Sequence, residues 1–147
     1  MVDPQIIMEW LGKADDDFCF ADANLREGSE FFAQICFHFQ QAAEKYLKAY
    51  IICNSLHFSK VHDLVHLLKT CSDHEPALAK LKEDCILLSS AYIDTRYPVH
   101  WPTDYTRETA KKLHVAASNI SGIIREQINL KLPGTKKLKP HIVKNIP

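Results

Sequence analysis

The stretch from Cys36 to Tyr50, CFHFQQAAEKYLKAY, constrains the fold more than any other part of the chain. Ile35, Phe39, Ala42, Tyr46 and Ala49 recur three or four residues apart, the spacing of an amphipathic helix laid on a core. Beside this apolar file runs a polar one, His38, Gln41, Lys45 and Lys48, at the same spacing. Folding requires only the apolar file, so the polar file poses the functional question. Gln40, Glu44 and Lys48 form a neighbouring row in which Glu44 and Lys48 make a favourable i,i+4 pair of a few tenths of a kcal/mol. Two readings stay open. The polar groups form a solvated border whose aliphatic stems cover the core, with His38 a satisfied interior imidazole. Alternatively His38, Gln41 and Lys45 face a cleft and hold a phosphate or a base, Lys45 supplying charge and Gln41 direction.

Helical periodicity recurs along the rest of the chain. Ile7, Trp10, Leu11, Ala14, Phe18, Ala21 and Leu25 predict a first helix over 4–26, with Asp3 as N-cap and Pro4 in the first turn. Asp15, Asp16 and Asp17 within it read as a solvated acidic face, since no further acidic cluster flanks them to hold a metal. Gly28 and Ser29 break the chain before a second helix from about Glu30 to Cys53. A loop, Asn54 to Lys60, leads to a short third helix capped by Asp63 and carrying Leu64, Leu67, Leu68 and Cys71.

A fourth helix begins near Pro76 and carries Leu78, Leu81, Cys85, Leu88 and Tyr92; Pro98 should stop it by denying Tyr97 the helical conformation. Asp104 is the expected N-cap of the last helix, with Leu113, Ala117, Ile120, Ile124 and Ile128 as its stripe and Pro133 and Gly134 at its end. No strand pattern or internal repeat is present. The expected fold is all-α, an up-and-down bundle of four main helices over residues 4–130, with a short additional helix in the connection between helices two and four. Residues 131–147, with Lys136, Lys137, Lys139 and Lys144, are expected to form a mobile basic tail.

A chain of 147 residues can bury one core without staples. Its 18 Lys and Arg balance 18 Asp and Glu, so no global field draws it to nucleic acid or to an anionic membrane. The 5 cysteines lack C-x-x-C spacing and read as reduced core thiols. Without a leader pattern or a long apolar run, a cytoplasmic protein with no membrane partner is expected.

Two further constellations carry chemistry. Asp94 to Pro102, DTRYPVHWP, gathers Arg96, Tyr97, His100 and Trp101. An imidazole exchanges protons near pH ~6.5 and a guanidinium can brace charge developing on phosphorus, which suits phosphodiester cleavage. The other reading is that Arg96 complements the end of its helix and the aromatics cap the bundle. His62 and His66 have a chelating i,i+4 spacing, but no further ligand completes a set, so no metal is expected. No Walker loop or dinucleotide glycine pattern is present, and no cofactor is expected.

Trp10 with Ala14 and Asp15–Asp17, the run Phe37–Ala49, His62–Leu64 and the run Ala91–Pro98, in that order, resemble the HEPN domain family over about residues 5–128. The resemblance implies a bundle of four main helices, commonly a homodimer, linked to nucleotide or RNA binding. Many members resemble metal-independent endoribonucleases with an Arg-x(4–6)-His motif, and small ones are often toxins paired with a minimal nucleotidyltransferase. Carried over, the catalytic pair is Arg96 and His100, here separated by three residues, one fewer than the motif. Arg107 and His114 have six between them but lie inside the last helix. The Tyr92–Pro98 ending is similar to a branch for which a nucleotide- or partner-binding role is implied, with His38, Gln41, Lys45, Arg96 and Tyr97 lining one groove. Three expectations stand: a nucleotide- or RNA-binding component of a two-component system, an endoribonuclease using Arg96 and His100, or a non-catalytic dimerisation module with exposed aromatics such as Phe37.

Overall fold

Asp3 accepts a hydrogen bond from the Gln5 backbone N–H at 2.9 Å and Pro4 fills the first turn, so α1, Pro4–Arg26, starts where its cap dictates. The computed structural model describes residues 2–91, 105–139 and 143–147. Within them follow α2, Phe32–Cys53; α3, Leu64–His74; α4, Lys82–Ser89, entered through a 3-10 turn, Pro76–Leu81; and α5, Arg107–Asn129. No strand occurs among the described residues. None of the helices is long and apolar enough to cross a membrane, again among the described residues.

The breaks follow local chemistry. Gly28 takes φ +85°, a left-handed conformation that a side chain would strain, and turns the chain out of α1. Asp63 accepts from the Val65 and His66 N–H groups and starts α3. The last helix departs from expectation: its N-cap is Thr106, whose hydroxyl accepts from the Thr109 N–H at 3.2 Å. Asp104, and the stop before Pro98, lie outside the described residues.

The central element is α2, which touches the four other helices among the described residues. Its apolar file, Ile35, Phe39, Ala42, Tyr46 and Ala49, is fully enclosed. Phe18 of α1 meets Phe39 edge-on at 5.4 Å between ring centroids, and the buried His114 of α5 packs within 5.5 Å of both. Cys36, Cys71 and Cys85 are core thiols, pushed up to about 12 by burial and so held protonated. Cys19 is exposed and Cys53 half-buried, which corrects the reading of all five as core residues.

The basic tail also differs from expectation where it is described. Arg26 donates to the backbone oxygens of Lys144 and Asn145, Arg107 donates to those of Leu25 and Pro147, and Ile146 is buried against the core. Leu138 N–H bonds the Asn129 side chain at 2.7 Å. Composition concealed this, because guanidiniums on α1 and α5 hold the tail through main-chain carbonyls that every sequence possesses.

Candidate functional site

The polar file of α2 faces α1, and Asp17 of α1 is its pivot. One carboxylate oxygen bonds His38 Nδ1 at 3.1 Å and the other accepts from Lys45 Nζ, joining two positions seven residues apart on α2. Partial burial pushes the Asp17 carboxyl up, but the hydrogen bonds and charges of His38 and Lys45 together outweigh it and hold its pKa below the ordinary value. Its stabilising contribution is therefore present above the unfolded carboxylate value and is lost as pH falls through the depressed folded one. Phe20 and Phe37 flank the His38 ring at 4.5 and 5.6 Å.

Beyond this pivot, Lys45 opens onto a cleft of ≈ 330 Å³ whose other walls are Glu9, Trp10 and Lys13. Trp10 is half-buried and braced edge-on by Phe58 at 5.7 Å. The indole lies just off the stripe Ile7, Leu11, Ala14 and Phe18, which explains why it lines a cleft although the spacing assigned it to the core. Gln41 sits between His38 and Lys45 and donates to Gln40 Oε1 at 2.7 Å. The structure thus brings His38 and Lys45 together and leaves Gln41 tied to its neighbour. Arg96, Tyr97 and His100 lie outside the described residues.

The second polar row is not a solvated border. Gln40, Glu44 and Lys48 are 0 %, 4 % and 6 % exposed. Lys48 Nζ bonds Glu44 Oε2 at 3.1 Å, His62 Nδ1 lies 3.0 Å from Glu44 Oε1, and Gln40 donates to the His62 carbonyl at 3.3 Å. Phe58 covers Lys48, its ring centroid 5.6 Å from Nζ. The loop before α3 closes this row from solvent.

The acidic run of α1 likewise serves helix packing. Asp15 accepts from the Tyr46 hydroxyl at 2.6 Å and from Arg125 of α5, so one carboxylate ties three helices. The solvated-face reading of Asp15 to Asp17 holds only for Asp16, which is exposed. Phe37 is half-buried rather than exposed; among the described residues the exposed aromatics are Phe20, Phe31 and Phe58. Arg107 is occupied by main-chain carbonyls, and His114 is buried with Nε2 2.9 Å from Asp22. No group of three or more His, Cys, Asp or Glu poised for a metal occurs among the described residues.

His114 gives a pH prediction. Burial lowers its pKa, more strongly than Asp22 raises it, with Arg26 adding to the lowering. The unfolded chain therefore takes up a proton that the folded chain refuses, and stability falls as pH drops below the ordinary histidine value of ~6.5. Urea denaturation midpoints should fall from pH 7.5 to 5.5, and less steeply in His114→Asn. Equal slopes for the two proteins would assign the effect elsewhere.

Known proteins give a consistent picture. A family model described as HEPN domain matches residues 7–127. TT1696 from Thermus thermophilus, a solved crystal structure, is similar with 29% identity and a TM-score of 0.73, over 86% of this chain and 98% of that one. The crystal structure of ST0689, an archaeal HEPN homologue, shares the fold at 24% identity and a TM-score of 0.67, over 83% of this chain and 97% of that one. No curated protein matches the chain.

Proposed function

We infer that this chain, which belongs to the HEPN domain family, is a nucleotide- or RNA-binding component of a two-component system whose partner is a minimal nucleotidyltransferase, and that it works as a homodimer. The observation that carries the binding reading is the position of Lys45, which shares Asp17 with His38 and lines a cleft with Lys13 and the Trp10 indole. An ammonium pair beside an aromatic face suits a ligand that joins phosphate to a planar base. Lys45 is partly held by Asp17, so its charge is placed before a ligand arrives and little side-chain entropy remains to be lost.

Calorimetric titration of the whole chain with nucleotides and short RNAs tests this reading. Lys45→Ala is expected to weaken binding by about tenfold or more, the scale of one charge-assisted contact. The variant should stay folded with a lowered unfolding midpoint, because Asp17 loses one of its two cations and retains His38. Absence of saturable binding at millimolar ligand, with and without the nucleotidyltransferase, would sink the proposal. RNA cleavage in EDTA that disappears in His100→Ala would replace it with the endoribonuclease reading.

A further inference from the structure

We propose that the cleft formed by Glu9, Trp10, Lys13 and Lys45 is a subsite for one guanine nucleotide: the indole stacks on the base, the two ammoniums hold the phosphate, and Glu9 reads the donor edge of the base. This rests on the binding reading above and names its ligand.

The volume, ≈ 330 Å³, lies at the lower end of small-molecule sites, which run from roughly 300 to 1,000 Å³, and so suits a single nucleotide. Phe58 braces Trp10 edge-on, which fixes the indole as a platform before binding. Glu9 and Lys13 stand four residues apart on α1, a spacing that favours an ion pair. Among the described residues neither makes one, although Lys45 beside them pairs with Asp17. Both heads therefore remain available to a ligand in the cleft that the indole lines.

Glu9 then decides between bases. An ionised carboxylate only accepts hydrogen bonds, through two oxygens side by side. The free pairing edge of guanine offers two adjacent donors, the ring N1–H and the exocyclic amine, which match those oxygens. Adenine and cytosine place a ring-nitrogen acceptor beside the amine, and uracil places its single N–H between two carbonyls; each would set a lone pair against the carboxylate. Two parallel charge-assisted bonds should favour guanine over adenine by about tenfold or more.

The test is titration of the whole chain with GMP, AMP, CMP and UMP, followed by calorimetry and by amide chemical shifts of Lys13 and Lys45. GMP is expected to bind tightest, by about tenfold over AMP. Glu9→Gln, at an exposed position, should still bind while losing the preference; Trp10→Phe should retain most of the affinity and Trp10→Ala little. Equal affinity for GMP and AMP, a preference that survives Glu9→Gln, or unaltered binding by Trp10→Ala would each overturn the assignment. If a short RNA binds in a Lys45-dependent way while GMP does not, this inference falls and the binding function stands. If neither binds, both fall.

Discussion

Lys48→Met is expected to destabilise the protein by about 3–5 kcal/mol, the cost of breaking a buried ion pair from one side. The pair lies within a single helix, where an exposed Glu and Lys at this spacing contribute only about 0.3–0.5 kcal/mol. Burial changes its weight. The side chains of Lys48 and Glu44 are 8% and 6% exposed, so the substitution leaves a carboxylate shut in with only His62 to answer it. Removing both charges in Glu44→Leu/Lys48→Met should recover most of the loss, because hydrophobic replacement of a whole buried pair is often close to neutral. Urea unfolding of the single and double variants closes the cycle. A loss below about 1 kcal/mol in Lys48→Met would show that the loop carrying Phe58 and His62 opens freely and admits water.

The second large effect is at Asp15. Asp15→Ala should cost about 2–3 kcal/mol, because it takes the shared carboxylate from two partners of different kinds and leaves Ser121 to serve both. The enclosed Tyr46 hydroxyl loses its carboxylate acceptor and is left with Ser121, while Arg125, 11% exposed, keeps its bond to Ser121 and its place over the Tyr46 ring, 5.4 Å from the centroid. The guanidinium already has a buried Nε without a partner, which narrows its means of compensation. Asp15 itself is 30% exposed, so solvent softens the effect and the lower part of the range is favoured. Asp15→Asn keeps an acceptor for Tyr46 and should fall between Ala and wild type. Tyr46→Phe removes only the hydroxyl and should cost about 1 kcal/mol. Thermal and urea unfolding measure the series; equal stability of Asp15→Ala and wild type would mean that α1 and α5 are held without this tie.

These two sites also mark where sequence reading stopped. Glu44 and Lys48 show the same letters at the same spacing whether water or a loop lies above them, and the cover comes from Phe58 and His62, outside the helix. Asp15 to Asp17 look like any solvated acidic run until Tyr46, Arg125, His38 and Lys45 are set opposite them. Trp10 was recognisable as a family residue, yet its place at the rim of the apolar stripe was needed to turn it from core into cleft wall. His38 and Lys45 were legible as candidates because they repeat at helical spacing; Asp17, which couples them, carried no signal of its own.

The sequence by itself determined the all-helical fold, the caps Asp3 and Asp63, the enclosed file of α2 and membership of the family. These depend on dihedral preference, capping and periodicity, all set within a few turns of chain. Only the tertiary structure decided which polar groups are buried, which carboxylate serves which cation, and where the tail docks. Those outcomes depend on the relative placement of α1, α2 and α5, and a polar side chain has no fixed energetic meaning until the groups opposite it are in place.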